Sequence, residues 1–148
     1  MTLRTRALSP LTLALALVVL AGCTQVEDLA PPITDCGSEH PLVGAVATME
    51  TRFHSVAGTV TVIDNCTVEI TDFSFDGEGL SVHAVLGEDP DFDSLDVISE
   101  NLRPDGPYEG VTLSFPLREG MTLDDVSHFS IWCVPAGASF GDGAFELP

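Results

Sequence analysis

Val56-Ala-Gly-Thr-Val-Thr-Val-Ile63, a break at Asp64-Asn65, and then Thr67-Val-Glu-Ile-Thr-Asp-Phe73 form the stretch that decides the fold. β-Branched residues alternate there with small or polar ones at period two, and the Asp-Asn pair supplies turn chemistry. The segment therefore reads as a β-hairpin, with Val68, Ile70 and Asp72 on one alternation. The same pattern continues outward. Asp76-Gly-Glu-Gly79 turns into a strand over 80–86, the acidic stretch Glu88 to Asn101 holds a short strand around Val97-Ile98, and Pro104-Asp-Gly-Pro107 turns into a strand over 111–115. A loop through Gly120 and Leu123-Asp-Asp-Val126 leads to a strand over 129–134, and a last one is expected at 144–147. Seven or eight short strands without an amphipathic helix of useful length predict an all-β fold, an antiparallel β-sandwich or partly closed barrel.

The N-terminus has a different character. Arg4 and Arg6 precede the apolar run Leu11-Thr-Leu-Ala-Leu-Ala-Leu-Val-Val-Leu20, which is short for a membrane span but suited to a signal-peptide core. Leu20-Ala21-Gly22-Cys23 follows directly and resembles the bacterial lipobox, in which the cysteine thiol takes the lipid. The expectation is a lipoprotein signal peptide over 1–22 and a lipidated Cys23, with acyl chains contributing about 0.8 kcal/mol per buried methylene to membrane anchoring. The implied location is the bacterial cell envelope, and Thr24 rather than Asp after the cysteine resembles outer-membrane sorting in Gram-negative bacteria. Residues 23–48, with Pro31-Pro32, Gly37 and Pro41 and no sustained period, read as a flexible tether. The folded domain is then 49–148.

The 148 residues suffice for one domain with a core. Asp and Glu number 23 against five arginines and no lysine, a net charge of −18, which leaves no cationic face for phosphates and excludes nucleic-acid binding. A hydrophobic content of 45% is too high for a wholly disordered acidic chain.

Three segments stand in a recognisable order: Phe53-His-Ser-Val-Ala-Gly-Thr-Val-Thr-Val62, then Val68-Glu-Ile-Thr-Asp-Phe-Ser-Phe-Asp-Gly77, then Phe129-Ser-Ile-Trp-Cys133 with Ser139-Phe-Gly141 beyond it. Together they resemble the Skeletor-associated DM-thirteen domain, an electron-transfer-type module, over essentially the whole folded part. The Trp-Cys pair and the Phe-Gly after it carry most of the specificity. The resemblance implies that Cys133 acts as a redox thiol or as the ligand of a prosthetic group such as haem, with a separate redox protein as partner.

Lipidation of Cys23 leaves Cys36, Cys66 and Cys133 in an oxidising compartment, an odd number. A Cys36–Cys66 disulfide would pin the tether to the hairpin turn and leave Cys133 free. A Cys66–Cys133 bridge would consume the candidate site. The first is favoured because Cys133 shares strand parity with Phe129 and Ile131 and so faces the core, away from a turn. That parity equally suits a thiol that merely packs. His128 and Cys133 fall on opposite faces of one strand and cannot share a ligand sphere. Asp89, Asp91, Asp93 and Asp96 approach calcium-loop spacing, but Pro90 intrudes, no glycine occupies the sixth position and no helices flank it. A solvated acidic loop is the favoured reading, with calcium the alternative.

No hydrolase triad, nucleotide loop, zinc-protease helix or Cys-x-x-Cys is present, so catalysis by the chain alone has no sequence support. Two functions compete. One is a membrane-anchored redox accessory working through Cys133. The other is a non-enzymatic binding or structural module of the envelope.

Overall fold

The computed structural model describes residues 29–148; the expected signal peptide and Cys23 lie outside the described residues. Nine strands run in the order β1 (Val46–Thr48), β2 (Glu50–Thr51), β3 (Ala57–Asp64), β4 (Thr67–Phe75), β5 (Val82–Gly87), β6 (Leu95–Val97), β7 (Tyr108–Pro116), β8 (His128–Cys133) and β9 (Ala138–Ala144). They form two antiparallel sheets, β1-β3-β4-β7 and β2-β9-β8-β5-β6, packed as a sandwich. Phe73, Phe75, Phe129, Ile70, Leu86, Leu117 and Ile131 are among the fully buried side chains between the sheets. No helix among the described residues is long and apolar enough to cross a membrane.

The β3–β4 hairpin forms where the alternation placed it, with Val60 opposite Ile70 and Val62 opposite Val68. Its phase changes at Asp72, however. Asp72 adopts φ +52°, and the pairing of β4 with β7 shifts register between Ile70 and Phe73. A simple period of two would point Asp72 inward with Val68 and Ile70. The bulge instead keeps the aspartate exposed and sends Phe73 and Phe75 into the core, because burying an unpaired carboxylate is far costlier than one irregular residue.

Two strands precede the expected start of the domain or overlap it. β1 pairs with β3, the chain turns inward at buried Met49, and β2 pairs with β9 in the opposite sheet. This switch is possible because β9 carries Gly141 and Gly143 where it passes beneath. A Cβ on Gly143 would meet the Thr48 carbonyl oxygen at 2.5 Å, and one on Gly141 would meet Val56 Cγ1 at 2.6 Å. An isolated bridge between Val46 and Glu146 draws this side of the sandwich together.

The segment expected as tether is also laid against the domain from Pro31 onward. Ile33 N–H donates to the Leu117 carbonyl (2.9 Å), Glu119 N–H donates to the Pro31 carbonyl (2.8 Å), and Ile33, Leu42 and Val43 pack on the core. Strand pairing and apolar anchors hold it there despite its prolines, which sit at positions that need no donor.

The final strand spans 138–144 rather than the expected 144–147. Its sequence, Ala-Ser-Phe-Gly-Asp-Gly-Ala, reads locally as a loop, and only the chain crossing over it explains the glycines.

Candidate functional site

The free cysteine lies at the end of β8. Phe129, Ile131 and Cys133 alternate onto the inner face and are all buried, Cys133 being 3% exposed. Its cross-strand neighbours are Val82 on β5 and Ala138 on β9, so the thiol is flanked by aliphatic side chains. Val134, next in the chain, donates its N–H to the Ser81 carbonyl (2.9 Å) as the strand ends. Exposed Val134 and Leu80 lie at this end of the sheet.

Cys36 and Cys66 form a disulfide with Cα atoms 5.5 Å apart, and Cys133 is the free cysteine among the described residues. Asp64 orients the turn at Cys66 by accepting its N–H (2.9 Å), and Gly37 accepts the Asn65 N–H (2.8 Å) from the far side. Among the described residues, Cys36, Asp64 and Cys66 are the one group of three potential metal-ligating side chains within 4.8 Å of one another, and the disulfide occupies both sulfurs. Asp89, Asp91, Asp93 and Asp96 are not brought together in this way. Their loop turns around Phe92, which adopts φ +54° and is 4% exposed, while Asp91, Asp93 and Asp96 point to solvent. The loop is organised around its one aromatic residue.

The sequence offered no signal for what Phe92 covers. It lies on the outer face of the five-stranded sheet, directly over Gly87, where a Cβ would come within 2.5 Å of its ring. It packs against Trp132 with ring centroids 5.4 Å apart, and edge-on to His128 at 6.2 Å. Trp132 therefore faces away from Cys133, and the two members of the Trp-Cys pair occupy opposite sides of the sheet.

That outer face carries a polar chain. Ser130 Oγ donates to Ser139 Oγ (2.9 Å), Ser139 Oγ donates to Asp142 Oδ2 (2.8 Å), and the Arg52 guanidinium grips both carboxylate oxygens, with Nη2 to Oδ1 at 2.8 Å and Nε on Oδ2. Burial pushes the Asp142 carboxyl upward, but the hydrogen bonds from Arg52 and Ser139 and the Arg52 charge outweigh it and hold the group below the usual carboxylate range. The same partnership raises Arg52 further. Nearby, buried His83 has Nδ1 3.0 Å from the Ser99 carbonyl and Nε2 2.8 Å from Ser81 Oγ. A carbonyl only accepts, so Nδ1 carries a proton and donates it there.

Chemically, the arrangement separates a thiol from every acid–base group just described. Asp142, His83 and His128 lie across the sheet backbone from Cys133 and cannot touch its sulfur. Cys133 also lines neither of two recesses in the surface, one of about 130 Å³ and one of about 230 Å³. A haem needs a far larger cavity open to its axial ligand, and drug-sized sites already occupy about 300–1,000 Å³. Close packing around Cys133 does not fit that group, and the haem reading implied by the resemblance has no support from the fold.

Comparison with known proteins places the chain. The family model described as Electron transfer DM13 matches residues 48–145. That span includes Cys66, Trp132, Cys133 and Phe140-Gly141 and leaves out Cys36. Two Drosophila melanogaster proteins, Protein Skeletor isoforms B/C and isoforms D/E, are each 31% identical to it over 93 residues, or 60% of this chain. The chain spans 12% and 6% of the length of those relatives, respectively. No solved structure matches it.

Proposed function

The chain belongs to the Electron transfer DM13 family, and from that premise we propose that it is a lipid-anchored extracytoplasmic redox accessory whose working group is the Cys133 thiol. One observation carries the reading. Cys36 and Cys66 are paired, so the cysteine left free among the described residues is the one beside Trp132 in the matched span. Cys133 would exchange electrons with a separate redox protein, and the exposed apolar side chains of Leu80 and Val134 offer that partner a contact beside the end of β8. The lipobox-like Leu20-Ala-Gly-Cys23 supports attachment of the chain to the bacterial envelope through lipid on Cys23, at the outer membrane in a Gram-negative cell. The domain would stand at the membrane surface, its acidic charge keeping it off anionic headgroups.

Burial of Cys133 favours a second reading, a binding or structural module of the envelope in which the thiol only packs. Exposing the folded full-length chain to ferricyanide, a one-electron oxidant, separates the two. The redox reading expects about two ferricyanide ions reduced per chain, with water supplying the oxygen of a sulfenic acid at Cys133 and two protons released, and both the reduction and the added oxygen lost in Cys133→Ser while the circular dichroism spectrum is retained. A Cys133 that stays an unmodified thiol until the protein is denatured would overturn it and leave the module. Labelling of cells with a palmitate analogue, abolished by Cys23→Ala, is the result expected for the anchor.

A further inference from the structure

Large apolar side chains that stay exposed gather at the end of the sandwich where Cys133 lies. Phe53 is 58% exposed, Leu80 72% and Val134 50%. The loop that carries Phe53 is pinned. Arg52 and Phe53 both donate their N–H to the Phe140 carbonyl (3.0 and 2.8 Å), the His54 carbonyl accepts the Asp76 N–H (3.2 Å), and the His54 ring lies 4.3 Å from that of Phe140. His54 and Ser55 hold φ at +57° and +54°, two successive non-glycine residues in the left-handed region, a conformation that the surrounding bonds must maintain. The neighbouring loop closes on the same ring, since a Cβ on Gly79 would meet Phe140 Cε2 at 3.0 Å and Val82 Cγ2 at 2.8 Å, and Leu80 follows it in the chain. Val134 joins them through its N–H, donated to the Ser81 carbonyl. Val82 is also the cross-strand neighbour of Cys133, so this apolar end lies next to the buried thiol.

Holding a phenylalanine in water on a fixed loop is unfavourable by itself, and a surface already ordered loses little entropy when a partner covers it. The charge around the patch selects that partner. Exposed Asp76 and Glu78 flank Gly77, where a Cβ would meet the backbone of Gly106 at 3.3 Å, and exposed Asp105 precedes Gly106. Three carboxylates thus stand together beside the apolar side chains. Arg103 is the cation next to them, and Arg52, on the loop of Phe53, is taken up by Asp142. With a net charge of −18 on the chain, a second copy or an anionic membrane is repelled from this end and a cationic partner is drawn to it.

We propose that this end docks a lysine-rich redox protein whose own redox group opens in an apolar collar, with Phe53, Leu80 and Val134 against the collar and Asp76, Glu78 and Asp105 against the lysines. An apolar centre beside a charged rim suits a transient complex, the rim steering the encounter and the centre setting its lifetime. That the partner is a redox protein rests on the reading of Cys133 as the working thiol. The docking itself does not require the thiol to be oxidised.

The probe is a basic c-type cytochrome with zinc in place of its haem iron, so that binding is read without electron transfer. Titrated into the full-length chain at low salt and followed by NMR, it should bind at one site, with shifts confined to residues 52–55, 76–82, 103–106 and 133–135, and weaken steeply as salt is added. Phe53→Ser with Leu80→Ser should weaken binding about tenfold, and Glu78→Lys with Asp105→Lys should do the same. Asp91→Lys with Asp93→Lys, an equal change of charge on the loop at the far end of β5, should weaken it less than about threefold. Cys133→Ser should bind as the parent does, so a failure of the thiol reading leaves this result standing. Circular dichroism controls for folding, and if the double apolar variant unfolds, Leu80→Ser alone decides, its side chain being mostly in water. Absence of saturable binding at low salt, equal losses in the 78/105 and 91/93 variants, or unchanged affinity without the apolar side chains would overturn the proposal. Uptake of the chain by phosphatidylcholine vesicles through Leu80, with no binding of the cytochrome, would overturn it as well, by making this end a lipid contact.

Discussion

The inner face of the five-stranded sheet and the middle of its outer face are both withdrawn from water, by different means. Inside, Phe129, Ile131 and Cys133 of β8 pack against the facing sheet, and apolar contact is all that holds them. Outside, Ser130 is equally buried, but it is covered through a hydrogen-bonded chain to Ser139, Asp142 and Arg52, beside an aromatic lid made by Phe92 and Trp132. One strand thus alternates between a dry core and a polar network. The groups able to move protons therefore lie on the face opposite the thiol. A Cys133 that works in electron transfer does so without those partners, so the proton its thiol loses on oxidation must leave by another route.

The largest perturbation of this contrast should come from the inner face. Phe129→Ala removes a fully buried ring that packs on Phe115 at 6.1 Å, and is expected to cost about 3–5 kcal/mol in urea unfolding. A loss below about 1 kcal/mol would mean that the inner face is loosely packed. Gly143→Ala places a methyl group on the backbone of Thr48 and should cost about 3 kcal/mol, the upper end of overpacking penalties, because a carbonyl cannot step aside as a side chain can. Wild-type stability in that variant would disprove the close crossing of β1 over β9.

The outer face should respond less to substitution and more to pH. Asp142→Ala strands Ser139 and releases Arg52, a loss of about 1–2 kcal/mol by thermal unfolding, moderated because Arg52 is half exposed to water. The carboxyl of Asp142 is held below its ordinary value in the folded state, so its contribution is complete above the unfolded pKa of about 3.9 and is lost as pH falls through the lower folded value. The expected signature is a drop in melting temperature between about pH 4 and pH 2 that is smaller in Asp142→Asn than in the parent. Equal acid sensitivity of the two would break the assignment. Thiol packing at Cys133 should be indifferent to this range.

Much of the fold was legible locally. Period-two alternation and turn residues located β3, β4, β5, β7 and β8 to within a few residues, because strand pairing of neighbours in sequence depends on contacts that the sequence itself spaces. β1, β2 and β9 were not legible as strands. β1 and β2 are too short to show a period, and β9 looks like a loop until its glycines are seen beneath another segment of chain. The site divided in the same way. The parity of Cys133 follows from its neighbours on β8, whereas the aspartates of the 88–96 loop read as a solvated acidic loop without showing that Phe92 is its buried anchor.

Composition and the spacing within single strands are enough to fix the all-β class, the acidic surface and the placement of Cys133 with Phe129 and Ile131. Tertiary contacts alone bring Arg52 to Asp142 across 90 residues and lay Phe92 over Trp132. Those pairings join residues whose separation carries no period and whose types carry no motif. They are settled when burial forces each polar group to find a partner and each gap to find a side chain.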